Sequence, residues 1–303
     1  MKSKDKMNIN QIYYQATDTA KLTGIIYKTN QPTTKILIST HGMGTNCLKK
    51  RDETIARKLN ENNIDYLTYN NRGHDIINYT YKETGEKILA GTAYEDVEEG
   101  YYDILGTIKY ALKLGYEEIY LQGHSLGATK TLYTYNKLLK EPENEEITKH
   151  IKAIILLSLV DISTATRIYL NDQYPQMLTY AKNLEREKME TTLMPEGTFI
   201  YPISVRTFLK YARDYQNFDF ARYSDTTYTY PELKNIEIPL FMRWGNDKEL
   251  ILQKAEELCD MLSKKISKSN LNIGYIDRAD HSYTGKEEVL AKEIQEFLTK
   301  EIS

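Results

Sequence analysis

The chain has 303 residues, of which 41% are hydrophobic and 27% charged, and its formal net charge is −3 at neutral pH. A chain of this length can bury one large core in one or two domains. Its acidic and basic residues are interleaved, and no apolar run approaches the roughly 18 residues that a membrane-spanning helix needs. The composition therefore argues against a nucleic-acid partner, a polybasic membrane patch and a membrane span.

The cysteines and the first residues bear on the compartment. Cys47 and Cys259 lie far apart and belong to no C-x-x-C pattern, which argues against a disulfide framework and against a zinc site. The first ten residues carry positive charge without the apolar segment of a secretory signal. We therefore expect a cytoplasmic protein that holds no metal.

The first 150 residues alternate β-like and helical segments, as expected for a mostly parallel α/β sheet. The predicted strands of this part cover residues 22–27, 35–40, 65–69 and 119–122. The predicted helices cover residues 51–62, 94–114 and 128–140. A continuous apolar run at 152–160 then predicts a strand that is covered on both faces.

The pattern changes after residue 160. Residues 161–236 contain many tyrosines, helix-like stretches at 176–190 and 205–215, and no convincing buried strand. Such a long insertion needs structure of its own, and we interpret it as a helical cap over the carboxyl end of the sheet, in preference to a peripheral bundle. The α/β pattern returns with predicted strands at 240–244 and 271–276 and predicted helices at 250–266 and 286–302. The predicted organisation is a core of residues 1–160 and 237–303 with the cap at 161–236.

A complete G-x-S-x-G pattern runs from Gly123 to Gly127 and places Ser125 at its centre. A β-prone run precedes it at 119–122 and a helical segment follows at 128–140, so the motif has the strand–turn–helix context that gives it meaning. Glycine at both flanking positions leaves room for a tight, strained turn. The pattern predicts that Ser125 is a nucleophile exposed above the sheet.

A serine hydroxyl is a poor nucleophile at neutral pH and needs a base within hydrogen-bond distance. Of the five histidines, only His281 comes late in the chain, between the last predicted strand and the last predicted helix. It is the predicted base. The remaining histidines are given structural or uncertain roles, with His74 in a loop and His150 exposed.

The base needs an orienting carboxylate in turn. Asp247 follows the strand that resumes the sheet after the insertion, in a G-x-D pattern, and is the predicted acid. Asp161, at the end of the preceding strand, is the alternative. Asp280 is adjacent to His281 in sequence and is expected to have a structural role.

The oxyanion of an acyl-transfer reaction needs two backbone N–H donors. The predicted donors are Leu126, directly after the nucleophile, and Met43, in the glycine-rich loop that follows a strand. The substrate-binding candidates are His41, Gly42 and His124, although His41 can hold its loop in shape and His124 can pack beneath the nucleophile. The loop lacks the Lys-Ser/Thr ending of a P-loop and the third glycine of a dinucleotide fingerprint, so no nucleotide or other cofactor is expected.

With these elements the chain resembles α/β-hydrolases of the serine esterase type, most closely the capped bacterial cinnamoyl- or feruloyl-esterase-like acyl hydrolases. The resemblance rests on His41-Gly42-Met43-Gly44, Asn70-Asn71-Arg72-Gly73-His74, Gly123-His124-Ser125-Leu126-Gly127, Gly245-Asn246-Asp247 and Ala279-Asp280-His281. It covers residues 20–300 and implies the α/β-hydrolase fold and a triad in the order Ser, Asp, His. The second loop departs from the family's D-x-R-G-H-G pattern, with asparagine for the aspartate and Asp75 for the final glycine, and the cap matches no motif.

The predicted function is hydrolysis of a carboxylic ester of a small or aromatic acyl group through an acyl-enzyme, with a small-molecule ester as the partner. Six tyrosines of the insertion are expected to roof the pocket, although each alone could merely pack cap helices: Tyr169, Tyr174, Tyr180, Tyr201, Tyr211 and Tyr215. A thioesterase, an amidase or an acyltransferase would use the same triad. A non-catalytic binding protein of the same fold is the alternative of another class. The sequence carries no signal of oligomeric state.

Overall fold

The computed structural model describes residues 7–301. Residues 1–6 and 302–303 of the predicted core, including the end of the last predicted helix, lie outside this range. The strands are β1 Asn8–Gln15, β2 Lys21–Lys28, β3 Lys35–Thr40, β4 Asp65–Asn70, β5 Asn78–Tyr81, β6 Lys87–Ala90, β7 Glu118–His124, β8 Ile151–Leu157, β9 Leu240–Gly245 and β10 Leu271–Ile276. The helices are α1 Lys50–Asn60, α2 Gly100–Lys113, α3 Leu126–Leu138, α4 Glu145–His150, α5 Ile162–Leu170, α6 Tyr174–Arg186, α7 Val205–Ala212, α8 Pro231–Lys234, α9 Ala255–Ile266 and α10 Glu287–Glu301.

Eight strands form one twisted sheet in the order β1-β2-β4-β3-β7-β8-β9-β10. The strand β2 is antiparallel to both of its neighbours, and every other pairing in this sheet is parallel. The remaining two strands, β5 and β6, form a separate antiparallel hairpin. The predicted mostly parallel α/β sheet is confirmed.

Helices cover both faces of the sheet, so its central strands are apolar on both sides. In β3, Ile36 and Ile38 join the hydrophobic cluster that α2, α3 and α9 cover, whereas Leu37 joins the cluster beneath α1 and α10. This alternation follows from the two-residue period of a strand. Because the central strands are buried, the residues at their carboxyl ends are held firmly in place.

The insertion contributes the helices α5, α6, α7 and α8. Residues from Ile162 to Phe218 build a third hydrophobic cluster, which also includes Val97 and Leu126 of the core. From Ala221 to Ile236 the chain instead joins the cluster of α2, α3 and α9. By its packing, the helical layer over Leu126 therefore ends near residue 218.

A buried charge pair ties this helical layer to the core. Lys130 on α3 forms an ion pair with Glu95, and both side chains are almost fully buried. Glu95 also accepts a hydrogen bond from the hydroxyl of Tyr211 on α7 (3.1 Å). Lys130 donates a further hydrogen bond to Asn71 in the loop after β4 (3.1 Å).

Several elements differ from the sequence expectations. The strand β1 was missed because it lies at the sheet edge with most of its side chains exposed, so it has little apolar alternation. The hairpin β5–β6 and the helix α5 were also missed. The predicted helix at 94–114 is a 3-10 turn at Val97–Glu99 followed by α2, and the predicted helix at 250–266 begins only at Ala255.

None of the helices that the structure describes has the length and apolar character to cross a membrane.

A substitution at Gly106 tests how closely α2 packs against the end of β1 and the residue that follows it. A Cβ atom there would lie 2.6 Å from Ala16 Cα and 2.7 Å from the Gln15 oxygen. In an open helix, Gly→Ala stabilises by about 1 kcal/mol, but here we expect Gly106→Ala to lower the free energy of unfolding by about 1–3 kcal/mol. Urea unfolding measures this difference. Gly274→Ala, whose Cβ would meet its nearest atom only at 3.4 Å, is the control, and equal stability of both variants would contradict the prediction.

Candidate active site

Ser125 lies in a sharp turn between β7 and α3, with a φ of 55° and a ψ of −126°. A positive φ is strained for a residue with a side chain and recurs at functional sites. A Cβ atom at Gly123 would lie 2.2 Å from the Gly127 oxygen, and one at Gly127 would lie 2.2 Å from the Thr40 oxygen. Both glycines of the G-x-S-x-G pattern are therefore sterically required by this turn.

His281 follows β10, and its Nε2 lies 2.9 Å from the Ser125 Oγ. Asp280 shapes the loop that carries it, because its carboxylate accepts hydrogen bonds from the N–H groups of Ser282 (3.0 Å) and Thr284 (2.8 Å). The structure thus brings together the two residues that the sequence predicts as nucleophile and base, and it gives Asp280 a structural contact.

The carboxylate at His281 belongs to Glu249, which accepts a hydrogen bond from the His281 Nδ1. Its second oxygen accepts from the Ser158 hydroxyl (2.7 Å) and from the Gly245 N–H (3.0 Å). Only 4% of the Glu249 side chain is exposed. Burial by itself raises the pKa of Glu249, but the hydrogen bonds from His281, Ser158 and Gly245 outweigh it and hold the pKa below its usual value.

This geometry corrects the prediction of Asp247 as the orienting acid. The side chain of Asp247 is exposed, and the residue contacts the histidine loop through its backbone N–H, which donates to the Ala279 oxygen (2.9 Å). The chain runs on through a turn in which Lys248 has a φ of 53°, so Glu249 is the first carboxylate to turn inwards. The sequence contained a signal for this residue. Glu249 lies two residues after Asp247, and glutamate can replace aspartate as the acid of a Ser-His-Asp triad.

Asp161, the alternative acid, also has another role than orienting His281. Its carboxylate caps the start of α5 by accepting from the Thr164 N–H (3.0 Å), and it accepts from the Tyr223 N–H (3.0 Å). Such a cap supplies an acceptor to backbone donors that the helix leaves free. Both oxygens of Asp161 are therefore used to fix the beginning of the insertion.

The two histidines near the strand ends are buried and serve the loops. The His124 Nε2 donates to the backbone oxygen of His281 (2.7 Å), and burial places the pKa of His124 well below its usual value. The His41 Nδ1 donates to the Gly42 oxygen (2.8 Å), while its Nε2 accepts from the Asn71 N–H (3.3 Å). Burial lowers the pKa of His41 to about 3, so both rings are neutral near pH 7.

Of the three substrate-binding candidates, Gly42 and His124 line the cavity above Ser125. His41 is buried behind the loop and is not part of the cavity wall, so its prediction as a substrate-binding residue is corrected. Its hydrogen bonds hold the glycine-rich loop against the loop after β4. The Asn71 side chain adds to this clamp, because its amide donates to the His41 oxygen (3.4 Å).

The two predicted oxyanion donors border the same cavity. Leu126 is the first residue of α3, so its N–H has no acceptor within the helix. The loop of Met43 lies against Ser125, because a Cβ atom at Gly42 would be 2.9 Å from the Ser125 Cβ. The Gly44 N–H, which donates to the Thr92 hydroxyl (2.6 Å), fixes this loop on its other side.

The cavity above Ser125 has a volume of about 620 Å³. One part of its wall is apolar and comes from the insertion and two flanking segments; we call it the apolar wall, and it consists of Val160, Ile162, Ala165, Tyr169, Phe199, Ile200, Tyr201 and Leu250. Another part comes from the start of α1 and the loop after β10, and it is polar and charged. A ligand in this cavity would thus contact both apolar and charged groups.

Only Tyr169 and Tyr201 of the six predicted roof tyrosines line this cavity. The hydroxyl of Tyr174 instead donates to the Ala212 oxygen within the insertion (2.6 Å), and that of Tyr211 donates to Glu95 of the core (3.1 Å). Tyr180 and Tyr215 are exposed on the surface, which corrects the expectation for these four residues.

Among the described residues, no group of three or more His, Cys, Asp or Glu side chains could hold a metal ion.

Comparison of the sequence with protein-family models and with curated proteins gives no match. Solved structures do match over nearly the whole chain. Est1E from Butyrivibrio proteoclasticus, with ferulic acid bound, has a TM-score of 0.61 at 17% identity and covers 96% of this chain and 99% of its own. The α/β-hydrolase GrgF from Penicillium sp. sh18 has a TM-score of 0.67 at 13% identity, with coverages of 97% and 99%.

A soluble variant of the monoglyceride lipase from Saccharomyces cerevisiae, in complex with a substrate analogue, has a TM-score of 0.65 at 14% identity, covering 99% of this chain and 98% of its own. The chain has the α/β-hydrolase fold, as the sheet order and these similarities show. The resemblance that the sequence motifs indicate is thereby confirmed for the fold.

The corrected acid assignment makes a direct prediction. In hydrolysis of an activated ester, Glu249→Gln should lower kcat by about 10³- to 10⁴-fold, since the histidine loses the charge that orients it. Asp247→Asn should keep kcat within about twofold of the wild type, because the exposed carboxylate has no contact with His281. Steady-state kinetics on the same ester compares the two variants, and a larger loss in Asp247→Asn would restore the original assignment.

The lowered pKa of Glu249 also predicts a pH dependence of stability. A carboxylate with a depressed folded-state pKa stabilises the fold above its unfolded-state pKa, about 4.3, and loses this contribution as the pH falls through the folded-state value. The stability difference between wild type and Glu249→Gln should therefore become smaller, or reverse, from pH 5 to pH 3. Urea unfolding at both pH values measures it, and a difference that stays constant would contradict the prediction.

Proposed function

We propose that the protein is a serine-dependent hydrolase of carboxylic esters that acts through an acyl-enzyme. The observation that carries the proposal is the continuous hydrogen-bonded chain of Ser125, His281 and Glu249 at the edge of a cavity. Three groups in this order, with the serine on a strained turn, are the arrangement that activates a hydroxyl for attack on a carbonyl. A binding protein without catalysis would have no need of this alignment.

The hydrogen bonds assign the steps of the reaction. Because the His281 Nδ1 donates to Glu249, its Nε2 carries the lone pair that faces the Ser125 hydroxyl. The Nε2 takes the hydroxyl proton as Ser125 Oγ attacks the ester carbonyl, and it gives that proton to the departing alcohol. Glu249 stabilises the imidazolium that forms between these two transfers. A water molecule, activated by His281 in the same way, then releases the acid from Ser125.

The oxyanion of each tetrahedral intermediate would be held by the N–H groups of Met43 and Leu126. Both residues border the cavity beside Ser125, and the N-terminus of α3 adds a favourable dipole for negative charge. The clamp of His41 and Asn71 keeps the loop of Met43 in position. These donors are fixed before the substrate arrives, so little reorganisation is needed during the reaction.

For the substrate we propose an ester of a compact or aromatic acid. Tyr169, Phe199 and Tyr201 supply aromatic surface to the apolar wall, which suits a flat acyl group. In this proposal the part of the insertion that packs over Leu126, up to residue 218, is the cap that covers the acyl group. The ferulic acid bound to Est1E, a protein of the same fold, supports an aromatic acid as the acyl group.

The nucleophile is tested with Ser125→Ala. We expect this variant to lose hydrolysis of p-nitrophenyl acetate and covalent labelling by a fluorophosphonate probe, while its thermal midpoint stays the same or rises slightly, because the strained serine serves chemistry and not packing. Ser263→Ala, at an exposed serine of α9, is the matched control and should keep both properties. Activity near that of the wild type in Ser125→Ala would overturn the proposal.

The acyl preference is tested with p-nitrophenyl esters of graded chain length. Rates should be highest for acyl groups of roughly two to six carbons or for aromatic acids, since a pocket of this kind encloses a compact, mainly apolar ligand. A parallel panel of thioesters and amides checks whether another acyl bond is preferred. An optimum at twelve carbons or more would contradict the compact acyl group and favour a lipase.

A further inference from the structure

The charged part of the cavity wall comes from three consecutive residues at the start of α1, Lys49, Lys50 and Arg51, which we call the basic wall. These residues follow the glycine-rich loop that carries Met43. The basic and apolar walls both border the cavity at Ser125. A bound ester could therefore contact the two walls with its two halves.

The N-terminus of α1 is open. Its N-cap residue, Lys49, has extended backbone and makes no side-chain capping hydrogen bond. The first N–H of this turn to reach a backbone acceptor is that of Glu53, which donates to the Lys49 oxygen (3.1 Å). The preceding N–H groups lie at the positive end of the helix dipole, where an anion is stabilised.

Arg51 provides an independent indication of a ligand. Only 6% of the residue is exposed, yet it borders the cavity. Its one ion pair among the described residues is with Asp52 (3.1 Å), whose carboxylate also accepts from the hydroxyls of Ser39 and Tyr66. The Arg51 Nε is buried without a hydrogen-bond partner in the part of the chain that the structure describes. The pair with Asp52 thus leaves donors of the guanidinium unused in a residue that lines the cavity, and a second anion there would be favourable.

The surrounding charges leave a positive excess. Lys50 is balanced by Glu287, 3.3 Å away, and Arg51 is balanced in part by Asp52. Lys49 is exposed, and within residues 7–301 it forms no ion pair. The positive charge of Arg51 also acts on His124, the residue before Ser125. Burial contributes most to the lowered pKa of His124, and the charge of Arg51 lowers it further.

We infer that the cavity binds esters whose alcohol portion carries an anionic group, a carboxylate or a phosphate, held by Arg51, Lys49 and the N-terminus of α1. This inference rests on the proposed function and specifies its substrate class. The acyl group lies on the apolar wall and the anion on the basic wall, with the ester carbonyl between them at Ser125. Arginine and backbone N–H groups recognise both anions by charge-assisted hydrogen bonds.

The experiment compares three acetate esters of similar size: 4-acetoxybenzoate, 4-acetoxyphenyl phosphate and the neutral 4-acetoxybenzamide. The value measured is the ratio of kcat/KM for each anionic ester to kcat/KM for the neutral ester. Dividing the ratio of a variant by that of the wild type cancels the different intrinsic reactivities of the three esters. The carboxylate and phosphate arms show which anion the basic wall prefers.

We expect the ratio to fall about tenfold or more in Arg51→Gln, and to fall as well in Lys49→Gln, because charge-assisted hydrogen bonds to the anion are lost. Lys49 is exposed, so its variant decides the question if Arg51→Gln fails to fold. Arg57→Gln, on the same helix in an exposed pair with Glu53, is the matched control and should leave the ratio unchanged.

The two proposals fail in different ways. If the wild type hydrolyses all three esters through Ser125 but neither Arg51→Gln nor Lys49→Gln changes the ratio, the anion site is overturned and the proposed function stands. If the wild type is no more active than Ser125→Ala on any of these esters or on p-nitrophenyl acetate, the proposed function is overturned and the anion site with it.

Discussion

The arrangement of the site depends on one close backbone approach. Gly123 and Gly127 have no space for a Cβ atom, so β7, β3 and the start of α3 meet almost without side chains between them. This contact forces Ser125 into a positive φ and presents its hydroxyl towards the cavity. The strain is held by the packing of a sheet buried on both faces, which explains why the end of a central strand can keep a serine in this conformation.

The carboxylate that contacts His281 is held by a different kind of constraint. Glu249 comes from an irregular turn beyond β9, yet its two oxygens receive hydrogen bonds from His281, Ser158 and Gly245. These contacts replace the rigidity that a strand end would provide. They also keep the carboxylate ionised in a buried position, where an unpaired charge would be unfavourable. The longer side chain of glutamate spans the distance that the turn adds.

The sequence predicted those features that local patterns determine. The bounds of β3 and β10 agree to the residue, and Ser125 and His281 come together, because the elbow motif and the chain order restrict their positions strongly. Glu249 was missed because the path of the turn after Gly245, with Lys248 at a positive φ, depends on contacts that no periodicity reveals. The burial of Arg51 beside the cavity could not be predicted for the same reason, since tertiary packing and not the local pattern decides which side of α1 meets the site.

The hydrogen bond from the His124 ring to the backbone oxygen of His281 has a consequence for motion. His124 precedes Ser125 directly, so this bond connects the loop of Ser125 to the loop of His281 at a second point besides their side chains. Burial holds the pKa of His124 well below its usual value, so the ring is neutral near pH 7, and the bond to the His281 oxygen requires the tautomer with its hydrogen on Nε2. We therefore expect the motions of the two loops to be coupled, so that the distance between Ser125 Oγ and His281 Nε2 varies less than the position of either loop.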